Sequence, residues 1–294
     1  SLQYVPHAYS AKGIPIRLPY CLKMLKCNSR WHVMFHEIWG AKPSQSPLIR
    51  KLITWLQRRI VSRLNHSLPI SVAHTSNDFW RYLLDSANVR AEILPLISNI
   101  PVATKRHSSR QMLLAELDIV EPNANAFIIL LFGTIRLDWA LMGLVDRVQE
   151  LLKRAPWTHA VFLSVGRAGD LGEIIWARME AKASNHCRFL KLGGLPAEEV
   201  SQIFHLSDVG VSMYYPEHVG KSGCVAAMAD HGLPVILPQG SGGTSDSGNW
   251  TSHIRAIPFD NNFETALLSC KRKQPFDSVN QTCMALANSL RNSL

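Results

Sequence analysis

The polar loop over residues 216–223 contains the residue types in this sequence that best predict chemistry. It reads Pro-Glu-His-Val-Gly-Lys-Ser-Gly, and the small residues from Cys224 to His231 favour a helix directly after it. A loop that opens a helix exposes unpaired backbone N–H groups at the positive end of the helix dipole, which favours a phosphate. Gly220 and Gly223 let the backbone approach such a ligand closely, and Lys221 adds a full positive charge. An ordinary strand–loop–helix unit of an α/β domain has the same pattern, so the loop alone leaves both interpretations open.

The segment from Glu217 to Ile236 resembles the donor-binding segment of GT-B glycosyltransferases of the family-4 type. Glu217-His-Val-Gly220 matches the usual Glu-Gly-Phe-Gly of that family, and Ala-Met-Ala with Gly-Leu-Pro-Val-Ile matches the helix and strand that follow. The sequence departs from the family pattern at two points. The second family glutamate, which normally holds the donor ribose, falls on Ala226, and one extra residue separates Gly220 from Ala226.

The resemblance implies a hexosyltransferase that takes a sugar from a nucleotide diphosphate, with UDP and a UDP-glucose type of donor expected. It also implies transfer with retention to a glycan or lipid-linked acceptor, as in polysaccharide biosynthesis. The residues that it assigns to the donor sugar are Glu217, His218, Val219 and Gly220. Because the methyl group of Ala226 cannot accept hydrogen bonds from a ribose, we expect Glu217 to contact the ribose or sugar instead. Glu217 is thereby a candidate catalytic residue, although a carboxylate at this position also simply caps a helix.

Three other loops follow predicted strands of the same half of the chain: Gly133-Thr134, Ser164 to Gly169, and Leu192 to Pro196. Ligands of open parallel sheets bind outside the carboxyl ends of the strands, so these loops should share one crevice with residues 216–223. The resemblance assigns Arg167 to the family arginine that contacts the donor diphosphate. It assigns the Gly194-Leu195-Pro196 turn to the loop whose backbone contacts the base. The predicted nucleotide and diphosphate contacts are Gly133, Thr134, Arg167, Gly194, Leu195, Lys221, Ser222 and Gly223.

His36 closes a predicted strand in the first half of the chain and is followed by Glu37. The pair resembles the His-Asp or His-Glu of the family at the cleft between its two domains, where the histidine contacts the transferred sugar. This resemblance makes His36 a second candidate catalytic and sugar-binding residue, whereas a histidine at a strand end is also commonly structural. The sequence contains no Asp-x-Asp, and its six cysteines have no metal-ligand spacing. We therefore expect metal-independent chemistry, with no cofactor besides the nucleotide-sugar substrate.

The amino-acid composition indicates which classes of binding partner to expect. Lys and Arg outnumber Asp and Glu by 31 to 22, which predicts an anionic partner such as a nucleotide diphosphate or an acidic lipid surface. No RNA- or DNA-binding motif is present, so nucleic acid is not expected. The longest apolar run, from Ala126 to Gly133, is too short to span a membrane. Unpaired cysteines favour a reducing compartment, and the expected location is cytoplasmic, with a peripheral position at the inner face of the membrane as the alternative.

Residues 48–64 predict an amphipathic basic helix. Apolar residues recur at helical spacing, and the charged residues mostly face away from them. The apolar positions are Ile49, Leu52, Ile53, Leu56, Ile60 and Leu64, and the basic positions are Arg50, Lys51, Arg58 and Arg59. Such a helix is either an ordinary surface helix of the first domain or, with Trp55, a face that rests on anionic lipid.

Short apolar strands alternate with helices along the whole chain, which predicts two Rossmann-like, doubly wound domains facing a cleft. The domains expected are residues 1–123 on the acceptor side, residues 124–274 on the donor side, and a helix over 275–294 that lies back on the first domain. The sequence begins inside a strand, so we expect the first domain to lack its N-terminal part. Two alternative functions remain open at this point: a non-catalytic GT-B-like protein that binds an anionic ligand, and a nucleotide-sugar epimerase of the same fold.

Overall fold

The computed structural model of the protein describes residues 1–25, 30–39, 46–103, 110–119, 125–136, 141–239 and 254–292. The chain divides into two compact units. The first contains Ser1–Leu96 and Asn280–Leu294, and the second contains Ile97–Ser247 and Thr251–Val279. The domain boundary predicted between residues 123 and 124 lies outside the described residues.

A four-stranded parallel sheet forms the centre of the first unit. Its strands lie side by side in chain order: β1 (Leu2–Tyr4), β2 (Trp31–Phe35), β3 (Ile70–Thr75) and β4 (Glu92–Ile93). The helices that accompany it are α1 (Pro6–Tyr9), α2 (Leu18–Met24), α3 (Pro47–Ser67) and α4 (Asp78–Asp85). Tyr4, Phe35, Val61, Leu64 and Leu84 pack together in the core between this sheet and its helices.

Local sequence explains where the longer helices of the first unit begin. The Oγ atom of Ser46 accepts a hydrogen bond from the backbone N–H of Ile49, and Pro47 occupies the first turn of α3. Asn77 caps α4 in the same way, since its side-chain oxygen accepts the N–H of Trp80 at 2.9 Å. The sequence does not predict α1 or α2, because neither helix is long enough to show a periodic apolar face.

The second unit contains a six-stranded parallel sheet covered by helices. Its strands are β5 (Ala126–Phe132), β6 (His159–Val165), β7 (Cys187–Gly193), β8 (Val209–Val211), β9 (Val235–Leu237) and β10 (Ala256–Pro258). Its helices are α5 (Arg110–Glu116), α6 (Leu141–Leu152), α7 (Asp170–Lys182), α8 (Ala197–Leu206), α9 (Gly223–Asp230) and α10 (Phe263–Ser269), with a 3₁₀ helix at Pro216–Lys221. The spatial order is β10-β9-β8-β5-β6-β7, which is the Rossmann order. The predicted α/β class with parallel sheets is thereby confirmed.

Strand β5 shows why this sheet is buried on both faces. Phe127, Ile129 and Leu131 pack with residues of α6 and α7, and Ile128 and Leu130 between them pack with residues of α8 and α9. Successive side chains of a strand point to opposite faces, so a continuous apolar run gives a strand with two buried sides. The continuous apolar run from Ala126 to Gly133 predicts such a central strand, and the position of β5 between β8 and β6 confirms it.

Two local predictions differ from the structure, and one helix is present that the sequence did not predict. The segment predicted as a loop over residues 216–223 is mostly the 3₁₀ helix, because Pro216 fixes its first φ angle and the Tyr215 carbonyl accepts the N–H of His218 at 2.9 Å. The sequence also predicts a strand over Val209 to Met213, but the strand ends at Val211, where Ser212 begins a turn. Helix α10 was not predicted.

The last helix, α11 (Ser278–Asn292), begins in the second unit and continues into the first. In the second unit, Ser278 Oγ donates to the carboxylate of Asp230 at 2.5 Å. In the first unit, Ser289 Oγ donates to Glu92 at 2.7 Å and lies 3.3 Å from His74 Nε2. Among the helices of the described residues, none is both long and apolar enough to cross a membrane.

Candidate functional site

The strand order of the second unit reverses between β5 and β8. The chain leaves β5 toward β6 on one side, whereas β8 continues to β9 on the other, so the connections diverge and leave a crevice at the carboxyl ends of these two strands. Ligands of doubly wound sheets bind at this switch point. The residues that follow β5 and β8, together with the start of α9, are therefore the candidates for a ligand-binding site.

A cavity of about 100 Å³ lies at this switch point. Phe132 and Val211 line it from the ends of β5 and β8, and the loops after these strands contribute Thr134, Arg136 and Tyr214. The residues that line it from the beginning of α9 are Ser222, Cys224 and Val225. The cavity therefore contains a helix N-terminus and a guanidinium group, two features that favour an anion.

Glycines follow the ends of β5 and β6 at this edge of the sheet. Gly133 has a φ of +90°, and its N–H donates to the Val165 carbonyl at 2.8 Å. A Cβ atom at position 133 would lie 2.7 Å from the Sγ of Cys224. Gly166 also has a positive φ, and a Cβ there would lie 3.2 Å from the Cα of Gly133. A larger residue at position 133 would have to displace the Cys224 thiol and would be strained at this positive φ.

Ser222 sets the start of α9. Its side chain is buried, and its Oγ accepts the N–H of Val225 at 3.3 Å as an N-cap. By position, the N–H groups of Gly223 and Cys224 precede the first intrahelical bond and point out of the helix end. The predicted diphosphate contacts Ser222 and Gly223 are thus both at the helix N-terminus beside the cavity.

Two cations share one aromatic ring at the cavity. The guanidinium carbon of Arg136 lies 4.9 Å from the centroid of Tyr214, and an Arg136 N–H donates to the Tyr214 hydroxyl at 3.1 Å. The ammonium nitrogen of Lys221 lies 6.0 Å from the same centroid. Tyr214 is itself fixed by Ser212, whose Oγ accepts the N–H of Tyr214 at 3.0 Å and donates to its carbonyl at 2.9 Å. Tyr214 therefore holds positive charge from two different loops at one place.

The thiol of Cys224 lies in the same cavity. Burial raises the pKa of Cys224, and the nearby charge of Arg136 partly opposes that rise. The group is consequently a neutral thiol at neutral pH. The thiol lies next to Gly133 and lines the cavity.

The structure brings some of the predicted site residues together and separates others. Gly133, Thr134, Lys221, Ser222 and Gly223 surround the cavity or the helix end beside it. Arg167 is exposed in the loop after β6 and does not line the cavity, while Gly194 and Leu195 follow β7, the next strand along the same edge. The residues that sequence reasoning missed are Arg136, Tyr214 and Cys224. Arg136 lies three positions after Gly133, in a loop that the sequence predicts to lie at the crevice. Its position in that loop was a signal from which it could have been predicted.

The predicted sugar-binding residues lie in the 3₁₀ helix. Val219 is buried in the core between the sheet and α9, so only its backbone is available for a ligand. Gly220 is buried beside it, and Glu217 and His218 are half-buried. This short helix leads directly into Ser222, the cap of α9, and thus connects the predicted sugar contacts to the cavity.

His36 belongs to the first unit, at the end of β2. Its backbone N–H donates to the Tyr4 carbonyl at 3.2 Å, and its ring Nε2 contacts the side-chain oxygen of Gln3. Burial lowers the pKa of His36, and the neighbouring Glu37 carboxylate partly opposes that change. A neutral imidazole at neutral pH is suited to hydrogen bonding rather than to ion pairing.

In the part of the chain that the structure describes, no three side chains of His, Cys, Asp or Glu are grouped in a way that would hold a metal ion. No protein-family model matches the sequence, and a search of curated proteins gives no match.

Solved structures do share the arrangement of elements. The structure of HepE from Anabaena in complex with UDP and glucose is 15% identical, with a TM-score of 0.52 over 90% of this chain and 72% of HepE. An apo structure of OtsA is 14% identical, with a TM-score of 0.51 over 95% of this chain and 68% of OtsA. An E. coli structure named for trehalose-6-phosphate and bound with UDP-2-fluoro glucose is 16% identical, with a TM-score of 0.50 over 95% and 68%. At such low identity, these comparisons show the fold, and the function has to be argued from the site.

Proposed function

We propose that this chain, which has the GT-B fold, is a glycosyltransferase that binds the diphosphate of a nucleotide sugar in the cavity between β5, β8 and α9. The observation that carries the proposal is the pair of cations, Arg136 and Lys221, held against Tyr214 beside the N-terminus of α9. A diphosphate placed there meets a bidentate guanidinium, an ammonium group and backbone N–H groups at once. The HepE structure with bound UDP and glucose and the E. coli structure with UDP-2-fluoro glucose support UDP as the nucleotide.

The same groups have a catalytic role in this proposal. When the bond between the sugar and the diphosphate breaks, negative charge grows on the departing phosphate and positive charge grows on the anomeric carbon. Arg136, Lys221 and the N–H groups of α9 stabilise the departing charge more than they stabilise the bound donor, which lowers the barrier. Tyr214 contributes by fixing both cations before the donor arrives.

The proposal also assigns residues to the donor sugar and a class of acceptor. The donor sugar is a hexose held by Glu217, His218, Gly220 and the backbone of Val219, with His36 as a further sugar contact. The transfer occurs with retention and without a metal, to a glycan or lipid-linked acceptor, in the cytoplasm or at its membrane face. Glu217 replaces the ribose contact that Ala226 lacks. A Glu217→Gln variant with unaltered affinity for UDP and UDP-glucose and unaltered turnover would contradict that replacement.

Titration calorimetry of the full chain with UDP, UDP-glucose and a short RNA tests the binding part of the proposal. We expect binding of UDP and UDP-glucose and none of RNA. Binding of RNA without binding of either nucleotide would overturn the proposal.

Release of UDP from UDP-glucose in the presence of candidate acceptor glycans tests the catalytic part. We expect acceptor-dependent release, or a slow hydrolysis when no acceptor matches. Nucleotide binding without release of UDP under any condition supports the alternative of a non-catalytic binding protein. Conversion of the bound sugar without any acceptor supports the epimerase alternative.

A further inference from the structure

Helix α3 has an apolar outer surface at its N-terminal end. Ile49 and Leu52, two of the apolar positions in the sequence pattern of this helix, are 50% and 56% exposed. Leu48 is 79% exposed and Trp55 51% exposed. Leu48, Leu52 and Trp55 follow each other at spacings of four and three, which places them on one face of the helix.

The reason is that only the second half of α3 packs on the sheet. Its buried residues are Gln57, Ile60, Val61 and Leu64. They lie on the face opposite to Leu48, Leu52 and Trp55 by helical geometry. The helix is therefore apolar on two opposite sides, and one of these sides is not needed to build the core of the first unit.

Neighbouring helix α2 and the residues just before it also carry exposed apolar side chains. Helix α2 packs against α3, and the loop before it is fixed to α3 by Gln57, whose side-chain nitrogen donates to the Gly13 carbonyl at 2.7 Å. Ile16, Tyr20, Met24 and Leu25 are each more than half exposed. Segments 16–25 and 48–55 thus contain eight of the 18 large apolar side chains that are exposed in the described residues. A concentration of exposed apolar side chains in two helices that contact each other differs from single scattered ones, which are normal.

The charge of α3 points to the partner. The helix carries five basic residues, Arg50, Lys51, Arg58, Arg59 and Arg63, and no Asp or Glu. Arg50, Lys51 and Arg58, together with Trp55, border an open depression of about 530 Å³ at the surface. No ion pair within the described residues neutralises a basic residue of α3. A second copy of the chain is a poor occupant, because two such surfaces would bring ten positive charges together.

We propose that the surface formed by α3 and α2 docks on a membrane rich in anionic phospholipid. Leu48, Leu52 and Trp55 enter the boundary between headgroups and acyl chains, and the basic residues beside them contact the phosphates. The guanidinium carbon of Arg59 lies 5.1 Å from the centroid of the Trp55 ring, so a positive charge lies beside the aromatic side chain that would enter this boundary. This inference does not depend on the proposed transfer reaction, since it rests on a different surface of the molecule.

Cosedimentation of the full chain with vesicles tests the proposal. Vesicles of phosphatidylcholine alone are compared with vesicles that also contain phosphatidylglycerol, at low and at raised ionic strength. We expect binding only to the anionic vesicles, and weaker binding in salt because the phosphate contacts are screened. Absence of binding, or equal binding to both kinds of vesicle, would overturn the proposal.

Two variants and their matched controls locate the surface. Leu52→Gln/Trp55→Gln removes exposed apolar area, and its control is Leu268→Gln, which changes a 54% exposed leucine on α10. Arg50→Gln/Lys51→Gln removes two charges, and its control is Lys153→Gln/Arg154→Gln in the second unit. We expect each α3 variant to lose about tenfold or more in partitioning to anionic vesicles and the controls to lose none. Because all the α3 positions changed are exposed, thermal unfolding and UDP binding should stay at the level of the parent.

Two outcomes of this comparison would contradict the proposal. One is an equal loss of vesicle binding in the controls, which would indicate general charge attraction to the protein. The other is a parent chain that is dimeric without lipid and becomes monomeric on Leu52→Gln/Trp55→Gln, which would assign the surface to a second copy. A failure of UDP binding in the parent would overturn the proposed function and leave this inference standing.

Discussion

At the residue scale, Tyr214 contacts both of the cationic side chains of the candidate site. Its ring receives Arg136 from the loop after β5 and Lys221 from the 3₁₀ helix. Arg167, which the resemblance assigned to the diphosphate, is exposed in the loop after β6. Replacing Arg136 and replacing Arg167 are therefore expected to change UDP binding by different amounts.

We predict that Arg136→Ala and Lys221→Ala each weaken UDP binding by about 1–3 kcal/mol, the usual range for hydrogen bonds to charged groups. Arg167→Ala should weaken it less, because that residue does not line the cavity. Titration calorimetry of the three variants, with Arg178→Ala on the outside of α7 as control, measures the difference. An unchanged affinity in both Arg136→Ala and Lys221→Ala would show that the diphosphate binds elsewhere.

A second prediction concerns the close approach of Gly133 to Cys224. Gly133→Ala places a methyl group 2.7 Å from the Cys224 thiol on a residue with positive φ, so it should destabilise the fold by about 1–2 kcal/mol and weaken UDP binding. Adding Cys224→Ala removes the clash but keeps the backbone strain, so the double variant should recover part of the loss. Thermal unfolding and UDP titration of the single and double variants measure both effects. Gly193→Ala is the matched control for the stability measurement, since Gly193 also has a positive φ and a methyl group there meets nothing within 4 Å.

At the element scale, α8 and α9 are joined by a buried histidine. His231 Nδ1 donates to the Ala227 carbonyl at 2.7 Å, and its Nε2 accepts the hydroxyl of Ser201 at 2.7 Å, so the neutral ring has both nitrogens satisfied. Burial lowers the pKa of His231 to about 4, opposed by the bond to Ala227 and reinforced by the charges of His205 and Arg272. Arg272 donates to the carbonyls of Phe204, His205, Ser207 and His231 and so fixes a positive charge nearby.

The lowered pKa of His231 predicts a loss of stability in acid. The unfolded chain binds a proton at this residue below about pH 6.5, whereas the folded chain does so only near pH 4. The contribution is therefore complete above pH 6.5 and is lost as the pH falls toward 4, by at most about 3 kcal/mol. Chemical unfolding at several pH values should show a smaller decrease for His231→Gln than for the parent. Equal decreases in the two proteins would contradict the assignment.

The elements also show what the sequence can and cannot predict. Strands β5 and β6 were predictable because short, nearly continuous apolar runs are typical of parallel strands that are covered on both faces. Helix α3 was predictable as a helix, but not in its orientation: it has two apolar faces, and local periodicity does not say which one is buried. The 3₁₀ helix was missed because the glycines of residues 216–223 indicate a loop equally well. Arg136 was missed because the side chains that converge on Tyr214 are brought together only by the sheet.

At the scale of the whole molecule, the chain consists of two units that each contain a parallel sheet. The prediction of two α/β halves follows from the alternation of strands and helices over the whole length, a signal that no single residue carries. The predicted cleft between the two domains stays a prediction.

A prediction for the whole molecule concerns metals. We expect UDP and UDP-glucose to bind with unchanged affinity after exhaustive chelation, because the charges that face the diphosphate are side chains and backbone N–H groups. Calorimetry before and after chelation, with dialysis against metal-free buffer as control, measures this for the full chain. Loss of donor binding that returns only with Mn²⁺ would contradict the metal-independent mechanism.

The distribution of the cavity along the chain has an evolutionary consequence. Every described side chain that lines the cavity comes from residues 132–225, which lie within the second unit. Gene fusion or recombination at the junction near residue 97 would therefore exchange Ser1–Leu96, the larger part of the first unit, without altering these walls of the cavity. Selection can in this way act on the two parts separately: under the proposed function, a new acceptor is acquired by changing the first part while the proposed donor pocket is inherited intact.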